Sequence, residues 1–271
     1  MTAVTEAFLP YGFRRAKVFK LTNGVPVTTN AAGAVDDGVY IDGAVELTLN
    51  VPAPRTITGF ANDGISQIGT LPPQEATVGT LSQDAFSDAL FALATGVKTV
   101  SESEAKETPV GTDMQGSEPL FMLIASRLCT GLVSGIDVWQ TIVLPVCKFI
   151  PAYPGMSGEK APTGWAIQPR KTRKRPNGMA LTRALNGCLS ADFFTYTTEN
   201  PLNFCLWLGD NTATEFNFPV DWQAISDAKT ELYHAGVAEP TAFATSKLTP
   251  TTKPSAGYSL LSIYETPAIA A

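Results

Sequence analysis

His234 is the sole histidine of the chain, so triad or multi-histidine metal chemistry would have to run through one residue. It stands in Glu231-Leu232-Tyr233-His234-Ala235-Gly236, read as the end of a short helix over 224–234. There the last carbonyls favour an imidazolium, which makes a structural role the better reading. Gly155-Met156-Ser157-Gly158 approaches a nucleophile elbow but lacks the final glycine of G-x-S-x-G and reads as a turn. No G-x-x-x-x-G-K-[ST] and no G-x-G-x-x-G after a strand is available to cradle phosphate. Asp36-Asp37 and the trio Glu102, Glu104, Glu107 bring carboxylates close, as acid–base pairs or a hard cation would need. Neither keeps EF-hand spacing, and both read as solvated charge. The four cysteines, 129, 147, 188 and 205, form no CxxC pair and read as small buried thiols rather than disulfides or a zinc site. The expectation is a non-enzyme with no catalytic residue, no metal and no cofactor.

The densest charge is Arg170, Lys171, Arg173, Lys174 and Arg175, closed by Pro176-Asn177-Gly178. Three uses are open: a solvated hairpin tip, a nucleic-acid contact, or a docking tip for an acidic patch on a neighbouring copy. Nucleic-acid grooves interleave aromatics with their cations, and none is interleaved here. The net charge of −6 also lacks the basic footprint of a general nucleic-acid binder. Glu102, Glu104 and Glu107, in a polar loop over 99–118, are the natural docking partner. Such complementarity fixes register and speeds encounter, although one exposed pair contributes about 1 kcal/mol or less.

The elements that must position these groups read as β. From Val39 to Val51 the odd positions are Val39, Ile41, Gly43, Val45, Leu47, Leu49 and Val51, the period of a half-buried strand. At roughly 3.3 Å per residue one strand of that length would run about 43 Å. That predicts a bent barrel strand or an arm reaching a neighbour, with Val39, Ile41, Val45, Leu47 and Leu49 in an inter-subunit sheet. Residues 1–38 read as an arm carrying a small hairpin at Asn23-Gly24, ordered on contact with a partner. A hairpin is predicted around Asn62-Asp63-Gly64, and a helix over 83–95 capped by Ser82 and stopped near Gly96. Strands are predicted over 136–150, 165–168, 193–198, 204–208 and 258–264; the apolar run 120–129 fits strand or helix by periodicity and is read as strand from its β-like surroundings. Over 136–150 both faces carry apolar residues, read as core on one side and a neighbouring subunit on the other. The organisation expected is an arm (1–38), a β-sandwich domain with the helix and the mobile loop 99–118 (39–215), and a C-terminal extension (216–271).

Charged residues make up 16% of the chain, against about 25% in typical soluble domains, which favours surface covered by other copies. No apolar run approaches the roughly eighteen residues of a spanning helix, and no apolar leader follows Met1. The chain reads as assembled in the cytoplasm, with no membrane partner.

The order and character of VYIDGAVELTLNV, RTITGFANDGISQI, SQDAFSDALFALATG and the pair of segments from Ile136 to Thr182 resemble the tail tube (major tail) protein of long-tailed, non-contractile bacteriophages. The resemblance covers roughly residues 39–210. It implies a mainly β fold, a sandwich or half-barrel flanked by a short helix. It also implies hexameric rings whose sheets join into an inner β-barrel and which stack into a tube in the virion tail, contacting other tail proteins. DNA would pass through an acidic lumen without specific binding, and like charge agrees with that. Arg170–Arg175 then belongs at a ring-to-ring or outer surface. The alternatives are another virion structural protein, such as a head–tail joining or capsid decoration component, and a carbohydrate-binding sandwich using Trp139, Trp165, Trp207 and Trp222.

Overall fold

The structure is a computed structural model. It describes residues 6–22, 25–26, 38–41, 43–61, 64–71, 76–84, 88–95, 100–102, 105–107, 119–151, 163–181, 190–219, 223–225, 230–244 and 246–267. The chain is mainly β. Its strands are β1 (Phe8–Thr22), β2 (Val25–Pro26), β3 (Val39–Tyr40), β4 (Ala44–Asn50), β5 (Arg55–Ala61), β6 (Gly64–Leu71) and β7 (Val78–Gln83). After the helix α1 (Asp88–Thr95) come β8 (Val100–Glu102), β9 (Ala105–Glu107), β10 (Leu120–Gly131), β11 (Asp137–Pro151), β12 (Thr163–Pro169), β13 (Phe194–Thr198) and β14 (Leu202–Leu208). The last third holds β15 (Phe216–Asn217), β16 (Thr230–His234), β17 (Val237–Glu239), β18 (Thr241–Ala244), β19 (Lys247–Pro250) and β20 (Ser259–Glu265).

One large antiparallel sheet runs in the order β2-β1-β10-β11-β12-β7-β4, with β3 also on β1 and β13 also on β11. Its spine is the long β10–β11 hairpin. The 15-residue β11 pairs β13 along Trp139–Val143 and β12 along Cys147–Pro151, so the sheet forks. A four-stranded sheet (β14-β20-β16-β17) and a three-stranded sheet (β15-β19-β18) follow.

Three apolar clusters fill the space between layers. On one face of the large sheet, Val18, Leu81, Leu123, Leu144 and Trp165 pack with Leu90, Phe91 and Ala94 of α1. On the other, Phe19, Met122, Ile124 and Val143 meet Leu202, Phe204, Leu206, Leu261 and Ile263 of the four-stranded sheet. The third lies beyond that sheet, where Trp207, Leu232 and Tyr264 meet Phe216, Phe218 and Leu248. Burial of this kind is the dominant favourable term in folding.

Several expectations are corrected here. Residues 39–51 are not one strand: Gly43 takes φ +67°, a conformation open to glycine, and splits the stretch. β3 then pairs β1 while β4 pairs β7. Residues 8–22, expected in an arm, form β1, which pairs with β10 along its length in the large sheet, with Arg15 through Phe19 buried. Ser82 does not cap a helix. It lies in β7 opposite Gly164 and Glu46, and Gln83 is strand and fully buried, accepting the indole N–H of Trp165 at 3.1 Å. α1 begins at Asp88, beyond the expected start at 83.

Alternation along β11 also breaks. A register shift between the pairings of Phe121 and Leu123 puts Leu144 and Cys147, three residues apart, in the same core. Its second apolar face, assigned to a neighbour, is covered by the four-stranded sheet of the same chain. That sheet joins β14 to β20 and β16, on either side of the boundary drawn at 215. The helix expected over 224–234 is also overturned at its end, because Thr230–His234 is strand β16.

Candidate functional site

The basic segment is built as a surface ledge on the large sheet. Arg170 N–H donates to Val146 O at 2.8 Å, and bridges Thr172↔Ala191 and Lys174↔Ala180 hold the strip down. Arg170, Lys171, Arg173 and Lys174 are exposed and Arg175 is half-buried. The turn signal at 176–178 holds: Gly178 N–H donates to Arg175 O at 2.9 Å, with Gly178 at φ +84°. This turn lies backbone against backbone on the β16–β17 turn. A Cβ on Gly178 would stand 3.0 Å from the Gly236 Cα, a tight contact that adds to the demand of the positive φ for glycine in both turns.

Beneath this junction lies an open cavity of about 360 Å³. Its floor is apolar, from Met122, Val146, Leu206 and Leu261, and its rim carries Lys174, Arg175, Tyr233 and Tyr258. Tyr233 donates its hydroxyl to Glu231 at 2.6 Å. Burial, then the bond to Glu231, raises the Tyr233 phenol, while Asn177 and Arg175 pull it down. Burial pushes neighbouring Tyr196 up to about 12, and Arg175 opposes this too. His234 is not part of the cavity lining: its Nδ1 lies 3.0 Å from Glu239 and its ring is edge-on to Tyr258. It sits in a strand rather than at a helix end, tied to structural partners.

The rest of the expected site is dispersed. Glu102 and Glu107 lie in the β8–β9 hairpin, whose side chains, like all of Glu104, fall outside the described residues. Asp36-Asp37, Cys188, Trp222 and the 155–158 turn also lie outside them. Val39 pairs with Val18, and Ile41 is buried, its N–H donated to Ala16 O at 2.9 Å. Leu47 and Leu49 are half-buried against the helix-side core, and the Val45 side chain is outside the described set. Val39, Ile41, Leu47 and Leu49 therefore pack their apolar faces against the core of their own chain. The outer edge of β4, the last strand in the pairing order, has no strand beside it among the described residues.

Trp139, Trp165 and Trp207 are buried, which removes three of the four residues proposed for a sugar groove. Cys129, Cys147 and Cys205 are buried and form no disulfide with one another, and burial raises the Cys129 and Cys147 thiols. No group of three or more His, Cys, Asp or Glu side chains gathers as for a metal ion among the described residues. No helix among them is long and apolar enough to cross a membrane.

The sequence did not flag the far end of the β10–β11 hairpin. Its tip exposes Leu132, Val133 and Ile136, with Val133 90% exposed. The tip is held rigid by Glu6, whose Oε1 accepts the N–H groups of Val133 and Ser134, each at 2.6 Å. Those two bonds hold the Glu6 carboxyl below its ordinary range. Asp137 sits alongside, accepting from Thr130 at 2.7 Å and Tyr11 at 3.1 Å. The alternation was legible, but an apolar turn with no core to enter gives no periodic signal. No protein-family model matches the chain, and no curated protein matches it.

Proposed function

We propose that the chain is a virion structural protein whose copies join into rings, the rings stacking into a tail tube that conducts DNA. The observation that carries this reading is the open edge of the large sheet. In its lower half the order is β1, β10, β11, β13, all antiparallel. The first half of β1, Phe8–Arg15, and the whole of β13 each have pairing on one side only among the described residues. Open edges are templates for another chain.

Four strands is an even number. A rotated copy therefore brings its β13 beside β1 of the next copy in antiparallel sense, and the sheet continues around a ring without a break in direction. Pro10 and the bulge at Gly12 (φ +72°) blunt the β1 edge, as edges that must resist indiscriminate pairing are blunted. A neighbour must match that bulge. Hexameric rings, an inner barrel and a lumen that DNA crosses without specific binding come from the resemblance, and the net charge of −6 agrees with such a lumen. The virion tail is the location the reading implies.

Negative-stain microscopy of the purified chain tests it. Rings and tubes are expected. Closed oligomers of fixed copy number would favour a joining or decoration protein, and isolated monomers would remove the reading. Reversing Arg173, Lys174 and Arg175 to Glu is expected to stop stacking while leaving the subunit folded. Tubes of unchanged length in that variant would remove the basic ledge from docking.

A further inference from the structure

The two unexplained features of the surface lie at opposite ends of one hairpin. Met122 and Val146 line the cavity near the open ends of β10 and β11, while Leu132, Val133 and Ile136 crown the turn that joins them. Nine residues of β10 separate Met122 from Gly131, about 30 Å at ~3.3 Å per residue. One feature is a rigid apolar knob and the other an apolar-floored cavity, each paired with charge of opposite sign. The carboxylates of Glu6 and Asp137 flank the knob. Lys174 and Arg175 are the charged residues lining the cavity among those described.

From this we propose that the 132–136 tip of one copy inserts into the cavity beneath the 175–178 turn of the next copy along the stack. Val133 and Leu132 would enter over Met122, Val146, Leu206 and Leu261, and Glu6 and Asp137 would face Lys174 and Arg175. An apolar projection that fits a pocket elsewhere on the same molecule makes a heterologous contact, which repeats without closing and builds an open array. The knob costs little conformational entropy on insertion, because Glu6 already pins its backbone. This inference rests on the stacking reading above and gives the basic ledge a partner other than the 99–118 loop.

Two variants test it in the full chain. Val133→Asp changes a residue that is 90% exposed, so the melting temperature should stay at the wild-type value. In the stack it would put a carboxylate against the apolar floor, below rim cations already engaged by Glu6 and Asp137. Rings should persist, and the protein concentration at which tubes appear should rise about tenfold or more. The second variant pairs Val133→Cys with Tyr258→Cys. These sites are too distant to bridge within one chain, so mild oxidation of preformed tubes should give a ladder of disulfide-linked copies. Each single-cysteine variant should give none above wild type. Wild-type tube length in Val133→Asp, or no ladder from intact tubes, overturns this contact and leaves the ring reading standing. A wild-type chain that never leaves the monomer overturns both.

Discussion

Two basic segments of the chain meet opposite fates. Arg14–Lys20 and Arg170–Arg175 look alike in composition, yet Lys17 is only 4% exposed while most of the second segment lies in solvent. In β1, Arg15 and Lys17 share a face with Phe19 and Leu21 and point at the four-stranded sheet. Lys17 Nζ donates to Phe204 O at 2.8 Å and stands over the rings of Phe19 and Tyr40, 4.9 and 4.8 Å from their centroids. Arg15 Nη1 donates to Thr266 Oγ1 at 3.0 Å, and burial lowers its guanidinium to about 10. These cations join two sheets from inside. The second segment has no apolar partners at alternate positions, so nothing draws it under a layer, and its charge stays available to a partner. The fate of a cation is set by the residues two positions away.

The contrast can be broken by substitution. Lys17→Ala should destabilise the fold by about 3 kcal/mol, because it strips a charge-assisted bond and leaves a buried carbonyl without its donor. Urea unfolding reads it, and a loss below about 1 kcal/mol would show that Lys17 does not tie the sheets.

Next in size is an effect of alkaline pH. Below about pH 10 the Tyr196 phenol is neutral in both folded and unfolded chains. Its folded value is pushed up to about 12, so between the two the unfolded chain ionises first and stability falls as pH rises. About 2 kcal/mol should be lost across that window, and Tyr196→Phe should remove most of that loss relative to its own stability at neutral pH. An equal loss in Tyr196→Phe over the same window would contradict this.

Lys17→Met keeps the apolar stem and the packing and removes only the charge and its bond. About 1 kcal/mol should be lost, separating the bond from the burial. The smallest effect on stability belongs to the second segment: reversing Arg173, Lys174 and Arg175 together should move unfolding by no more than about 0.5 kcal/mol, while changing assembly most.

The same contrast explains what the sequence made legible. The 55–71 hairpin, β11, β12 and β13 follow from partial alternation and turn residues, while β10, β14 and β20 show only as apolar runs buried on both faces. β1 was hidden because Arg14, Arg15, Lys17 and Lys20 mimic a solvated arm, and only the opposing sheet reveals their partners. β16 was hidden by helix-forming residues, whose preference is overridden by pairing of Thr230–His234 with Leu260–Tyr264. Such tertiary override of a weak propensity is ordinary. The short strands β17, β18 and β19 sit in a Pro- and Thr-rich stretch and carry too few residues to show a period. At the candidate site, the basic ledge and its turn were legible. The cavity was not, since it is assembled from the 172–178 strip together with β10, β11, β14, β16 and β20, separated stretches of the chain.

The claim on which the rest depends is that copies of this chain complete one another's sheet. Mass photometry of the purified protein over rising concentration tests it most directly. A population should appear at a fixed multiple of 28.8 kDa, six copies by the resemblance, and heavier stacks should grow from it. A single species at the mass of one chain throughout that range would contradict the account.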